Sequence, residues 1–257
     1  MSISREITVD DHRVNRIGLG TNRLTDTPEN RAFLGAAVDA GVGLIDTAHV
    51  YTGGGSERAI GAALAPFPDG LVVATKGGYE RGGGQPERLR AEVEESFERL
   101  GTKTIALHYL HRVDPAVPLE ETLSVLKKYR DAGRIRHVGL SQVSVDQIEL
   151  AQTVVPIAAV QNEYNLSERK ADDVVDFCET ENIPFVPFFP LRGRTRAPLD
   201  EIARRYDATP QQITLAWLLE RSPSMIPIPG TLSLEHLEDN LAALELELSD
   251  EDYAKLN

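Results

Sequence analysis

Cysteine is almost missing from this chain: Cys178 is the only one in 257 residues. A single thiol forms no internal disulfide and supplies no metal-binding cluster. It falls in an amphipathic stretch over 170–181, where a small core residue is the plainer reading than a reactive thiol. Positive charge is also scarce. Lys and Arg total 27 against 40 Asp and Glu, a formal charge of −13, which argues against nucleic acid as a partner. No run of about eighteen apolar residues occurs, so no membrane span is expected. The segment MSISREITVDDHRVN lacks the apolar core of a signal peptide, and a cytoplasmic location is the expectation. No long apolar patch is evident, so a monomer is expected. Nor does any G-x-G-x-x-G follow an apolar run, which excludes the usual dinucleotide fingerprint. Without a linker, repeat or composition shift, one domain over 1–257 is expected.

What the chain does have is alternation. Short apolar runs at 17–20, 43–46, 71–75, 105–109, 137–140, 157–161, 184–188 and 225–228 are separated by longer amphipathic stretches. Continuous rather than alternating hydrophobicity suits parallel strands buried on both faces. Thr27-Pro28 and Thr209-Pro210 place a cap before a first-turn proline, and Ser144/Gln147 and Thr209/Gln212 have capping-box spacing. Eight strand–helix units predict an α/β fold, a closed (β/α)8 TIM barrel. Period-two alternation over 6–9 and 13–15, around Asp10, Asp11 and His12, predicts a β-hairpin ahead of it.

Active sites of such barrels lie on the loops that follow the strands. Four polar residues end successive runs or follow them closely: Asp46, Tyr51, Lys76 and His111. An Asp46–Lys76 ion pair across neighbouring strands is feasible, and a cation beside the Tyr51 phenol is expected to lower its pKa from about 10. Tyr51 then serves as general acid and His111 as a second donor to a carbonyl. The bland alternatives are a structural ion pair and a packing tyrosine. His108, three residues before His111, is expected to face the helices in a structural role, and His49 to border the site.

The ordered motifs carry a resemblance. Gly43-Leu44-Ile45-Asp46-Thr47-Ala48 with Tyr51 and Gly54-Gly55-Ser56-Glu57, then Ala74-Thr75-Lys76, then Tyr109-Leu110-His111-Arg112-Val113-Asp114-Pro115, resemble the aldo-keto reductases. Gly139-Leu140-Ser141-Gln142-Val143-Ser144, Gln161-Asn162-Glu163-Tyr164-Asn165 and Ile226-Pro227-Ile228-Pro229-Gly230-Thr231 follow in family order, and the likeness spans about 14–254. It implies reduction of a small-molecule carbonyl by a nicotinamide cofactor, with Asp46, Tyr51, Lys76 and His111 catalytic and no metal. It also implies cofactor contacts at Gly20, Thr21 and Asn22, at Ser141, Gln142 and Gln161, and at Phe188, Pro190, Leu191, Arg192, Gly193 and Ile228. Gly230, Thr231, Ser233, His236, Asp239 and Asn240 fall at the adenine end. Gln142 stands where asparagine is usual, and Phe188 where an aromatic stacks on nicotinamide. NADPH is the implied cofactor and NADH the alternative, because the lysine or arginine common in relatives at the Gly230 or His236 position is absent. An open, shallow pocket framed by Thr21, Asn22, His49, Val50 and Arg112 is expected. Two other readings are a nucleotide-binding barrel acting as a sensor, and a Schiff-base lyase using Lys76.

Overall fold

The hairpin forms as an antiparallel pair, β1 (Glu6–Val9) and β2 (His12–Asn15), with Ile7 opposite Val14. The computed structural model describes residues 4–9, 12–193 and 197–257, so Asp10 and Asp11 of the expected turn lie outside the described residues. Next come six parallel strands in chain order: β3 (Leu19–Gly20), β4 (Leu44–Asp46), β5 (Val72–Gly77), β6 (Ile105–Leu110), β7 (Ile135–Ser141) and β8 (Ile157–Gln161). Parallel neighbours need crossovers. These are supplied by α1 (Pro28–Asp39), α2 (Gly55–Leu64), α3 (Pro86–Leu100), α4 (Leu119–Asp131) and α5 (Val145–Gln152). Beyond β8 lie α6 (Asp172–Thr180), α7 (Ala197–Arg205), α8 (Pro210–Arg221), α9 (Leu234–Ala242) and α10 (Asp250–Leu256).

The last two expected strands survive only as isolated parallel bridges, Val160–Phe185 and Phe185–Met225, with Gly20–Gly230 returning to β3. The cause is proline. Pro184, Pro187, Pro227 and Pro229 have no N–H to give to a ladder, and only the carbonyls of Pro184, Pro227 and Pro229 take part. Val160 N–H donates to Pro184 O at 2.9 Å and Ile226 N–H to Phe185 O at 2.8 Å. Gly18 N–H donates to Pro227 O at 3.0 Å and Gly20 N–H to Pro229 O at 3.2 Å. These bonds close the sheet into a barrel.

The helix ends follow the sequence. Thr27 accepts from the Asn30 N–H, and both expected capping boxes, Ser144/Gln147 and Thr209/Gln212, are formed reciprocally. Cys178 is buried in α6 among apolar neighbours, where burial pushes its thiol up to about 12. No helix of the described residues is long and apolar enough to cross a membrane.

Two layers of core result. The larger packs the outer strand faces against the helices. The smaller fills the barrel: Leu44, Val72, Ala74, Leu107, Tyr109, Ala159, Val186, Ile226 and Ile228, with Val9 and Val14 of the hairpin in the same cluster. With a side-chain period of two, Asp46 stands above Leu44, and Lys76 above Val72 and Ala74. The hairpin end is pinned by buried Arg16. Its guanidinium donates to the carbonyls of Met225 at 3.1 Å, Leu219 at 2.9 Å, Ser222 at 2.5 Å and Ser4 at 3.1 Å. Burial draws its pKa down to about 10.

Candidate active site

Register decides which side chains meet. Gly20 pairs with Asp46, Asp46 with Ala74, Lys76 with Tyr109, and Ser141 with Gln161, so the strand ends that carry polar residues share one rim. Lys76 is wholly buried. Its Nζ donates to Asp46 Oδ1 at 2.5 Å, to the Thr47 carbonyl at 2.8 Å and to the Tyr51 hydroxyl at 3.5 Å. Asp46, 2 % exposed, spends its second oxygen on the Gln161 amide at 2.8 Å. Burial alone pulls the Lys76 ammonium down, but Asp46 and Tyr51 outweigh it and hold it above the ordinary lysine value.

Tyr51 corrects an expectation. Its pKa is raised, not lowered: burial dominates, Lys76 offsets part of it, and Asp46 adds to it. The phenol therefore stays protonated through the neutral range. Since Nζ already donates to the phenol oxygen, the phenol's own proton is left for another acceptor.

His111 packs edge-on to Tyr51, with ring centroids 5.8 Å apart, and lies 4.7 Å from the Tyr79 ring. Burial, then the charges of Lys76 and Arg112, press its pKa down to about 2, so the imidazole is neutral. Its Nδ1 is buried with no hydrogen-bond partner. His108 sits on the other face of β6. A Cβ at Gly77 would meet Leu89 and Glu92 of α3 and the His108 ring together, which places that ring on the helix side.

A cavity of about 520 Å³ opens over this group. Its walls include the expected Gly20, Thr21, Asn22, Asp46, Tyr51, His111, Ser141, Gln142, Gln161, Phe188, Pro190, Ile228 and Gly230. Lys76 lies beneath it and lines instead a smaller cavity of about 240 Å³. Phe188 packs on the barrel-interior cluster, whereas Phe185 belongs to the outer core. Gln142 has φ +58°, a region that favours asparagine over glutamine, and its amide donates to the His111 carbonyl at 3.2 Å. Thr21 is tied down: its hydroxyl bonds to the Asp46 carbonyl and Ser56, and Ser56 to Thr47.

A second cavity of about 690 Å³ shares Gly230 with the first and is walled by Leu191, Thr231, Ser233, His236, Asp239 and Asn240. Arg192 and Gly193 line a small neighbour of about 130 Å³, and Arg192 pairs with Glu163 at 3.3 Å. Two framing residues are misplaced by the sequence reading. His49 lies in the wall of the smaller cavity behind Lys76, held by Glu95 at 3.0 Å, and Arg112 stacks over Tyr79 at 5.4 Å instead of lining the main cavity. Val50 does line it.

Sequence reasoning missed Tyr79, Phe189, Glu163 and Arg23, all in cavity walls. Tyr79 sits on the strand-to-helix loop that follows Lys76, and Arg23 on the same loop as Thr21, a positional signal that was available. Phe189 has φ +50° and is 42 % exposed, features of the tertiary structure alone. Among the described residues, no group of three or more His, Cys, Asp or Glu side chains is placed to hold a metal ion.

Comparison with known proteins adds the following. The model of the aldo/keto reductase family matches residues 16–197 and 194–257. An uncharacterized oxidoreductase of Schizosaccharomyces pombe is 41% identical, the match covering 98% of this chain and 88% of the relative. Pyridoxine 4-dehydrogenase of Escherichia coli is 35% identical, with 96% of each chain covered. Among solved structures, a thermostable aldo-keto reductase, Tm1743, bound to the inhibitor epalrestat superposes with TM-score 0.89 at 31% identity, covering 98% of both chains. An aldo/keto reductase from Klebsiella pneumoniae bound to NADP and acetate gives TM-score 0.86 at 29% identity, covering 99% of this chain and 94% of that one.

Proposed function

The chain belongs to the aldo/keto reductase family, and on that premise we propose that it is a single barrel domain, spanning 1–257, that reduces a small aldehyde or ketone with NADPH. The observation that carries this reading is the Tyr51 phenol beside the Lys76 ammonium, in a cavity that also exposes Asp46 and His111.

The residues present fit a nicotinamide dinucleotide. Two cavities of about 520 and 690 Å³ share the Gly230 wall, so one elongated molecule has room in both. Ser141, Gln142 and Gln161 offer amide and hydroxyl groups beside the Phe188 ring, suited to a carboxamide on a flat ring. Thr231, Ser233, His236, Asp239 and Asn240 offer polar groups at the far end. The Klebsiella pneumoniae structure holds NADP, and another solved structure of an aldo-keto reductase from that organism holds NADPH. NADH is the alternative. When bound, the reduced cofactor supplies hydride to the carbonyl carbon.

The rest is the chain's own chemistry. Tyr51 donates its proton to the carbonyl oxygen. As the phenol gives it up, negative charge grows 3.5 Å from Lys76 Nζ, where a fixed ammonium stabilises it. Asp46 and the Thr47 carbonyl hold that ammonium in place and keep it protonated. Neutral His111 orients the carbonyl by a second hydrogen bond, without adding a charge that would compete with Lys76. Gln142, through the His111 carbonyl, links the carboxamide grip to that histidine. A Schiff-base role for Lys76 fits less well, because nucleophilic attack needs a free neutral amine and this one is buried, charged and bonded to three partners.

The test is a panel of aldehydes and ketones with the purified protein and NADPH, following loss of reduced-nicotinamide absorbance. Turnover is expected, and Tyr51→Phe is expected to lower kcat by about 100- to 10,000-fold while cofactor affinity stays within about twofold. Tight NADPH binding without turnover of any carbonyl would favour the sensor instead. A lysine adduct trapped by borohydride would favour the lyase.

A further inference from the structure

The adenine-end cavity contains a charge that its own loop does not provide. Residues 230–240 contribute Gly230, Thr231, Ser233, His236, Asp239 and Asn240, a set with hydroxyls and one carboxylate but no lysine or arginine. Yet Arg23 lines the same cavity, arriving from the loop between β3 and α1 on the opposite side of the closing bridge. Its Nη2 donates to the Gly230 carbonyl at 3.2 Å. No carboxylate of the described residues lies within ion-pair distance of it, and the side chain is exposed. In a chain of net charge −13, an unneutralised guanidinium directed along a cavity wall stands out.

Gly230 explains the geometry. A Cβ there would lie 3.2 Å from the Gly20 carbonyl oxygen and 3.7 Å from Asn22 Oδ1. A side chain at 230 would thus start out against the 20–23 loop. With glycine in that place the loop comes close, and Arg23 bonds to the 230 backbone and lines the cavity that Thr231 and Ser233 also line. The cation and the loop that needs it have separate origins in the sequence, 207 residues apart.

We propose that Arg23 is the residue that recognises the 2′-phosphate of NADPH, a phosphate monoester held between its guanidinium and the Thr231 and Ser233 hydroxyls, so that preference for NADPH over NADH resides in the first loop of the barrel. This rests on the dinucleotide-binding reading above. A guanidinium is a planar fork of donors matched to phosphate oxygens, and it keeps its charge at every physiological pH. Asp239 lines the same cavity, so the phosphate is favoured only on the Arg23 side of it.

The experiment is direct binding of NADP⁺ and of NAD⁺, which differ only in the 2′-phosphate, to the wild-type protein and to Arg23→Gln by titration calorimetry. The exposed position makes Arg23→Gln safe for folding, and Arg23→Lys, which keeps the charge, is the companion variant. Expected is a loss of about 10- to 100-fold in NADP⁺ affinity for Arg23→Gln, a change of less than about twofold for NAD⁺, and partial retention in Arg23→Lys. Equal loss for both nucleotides would place Arg23 on the pyrophosphate and overturn the proposal, as would no loss for either. Wild-type protein that binds neither nucleotide would overturn the dinucleotide reading itself, an outcome separate from any effect of the variants.

Discussion

His108 and His111 make acid stability a quantitative test of the interior. Both are buried, both ring nitrogens of His108 and the Nδ1 of His111 are without partners, and burial presses their pKa values down to about 3 and about 2. In the unfolded chain each returns to about 6.5. A base whose folded pKa lies below its unfolded one binds its proton only on unfolding. Stability is therefore full above about pH 7, falls as pH drops through about 6.5, and keeps falling until the folded values are reached. Over the window from about pH 7 to about pH 5, each such histidine removes about 2 kcal/mol, the slope approaching about 1.4 kcal/mol per pH unit. The loss in this window depends on the unfolded pKa alone, because the folded values lie far below it.

The perturbation is His108→Leu, which deletes one titrating group on the α3 side of β6 and leaves the rim untouched. Urea unfolding with linear extrapolation gives stability at both ends of the window. The wild type should lose about 4 kcal/mol through these two residues, and the variant about 2 kcal/mol. Other histidines contribute equally to both proteins and cancel in the difference. Carboxylates held low by ion pairs, such as Glu94 beside Arg134, titrate below the window. If the two proteins lose stability equally between the two pH values, His108 is not a buried neutral base and the reasoning fails.

The ion pair at the rim gives a second expectation. Lys76→Met leaves Asp46 buried with only Gln161 to satisfy it, so a destabilisation of about 3–5 kcal/mol is expected, mostly recovered in the Asp46→Asn, Lys76→Met double variant. Denaturant midpoints around that double-mutant cycle check it, and strict additivity would count against the pair. At the other end of the barrel, Arg16→Met strips the donors from four carbonyls, at Met225, Leu219, Ser222 and Ser4. It should cost about 3 kcal/mol, read as a lowered Tm, with carbonyl turnover unchanged below the new transition.

How much of this molecule was legible in its sequence depends on whether a feature is local or arises from packing. Caps, apolar runs and the hairpin are local: Thr209/Gln212 follows from spacing alone, and so does the hairpin, although His12, read as part of its turn, belongs to the second strand opposite Val9. The meeting of Asp46 with Lys76 was also readable, because parallel register carries neighbouring strand ends to one rim. The proline-broken seventh and eighth runs show the limit of apolar pattern: hydrophobicity places a segment in the barrel, but missing N–H groups decide whether it is a ladder or a bridge. The direction of the Tyr51 shift lies beyond that limit. Charge type and proximity suggested a lowered value, yet burial of the phenol outweighs Lys76, and burial is set by every neighbour of the cavity at once. That reversal alters the chemistry in one respect. On the proposed mechanism, a phenol that resists ionisation in the folded barrel is a poor base but a secure acid, so Lys76 acts chiefly while the proton leaves, when charge appears on the oxygen 3.5 Å away. On that proposal, the same residues read from sequence as tuning a resting pKa serve instead to stabilise a developing charge.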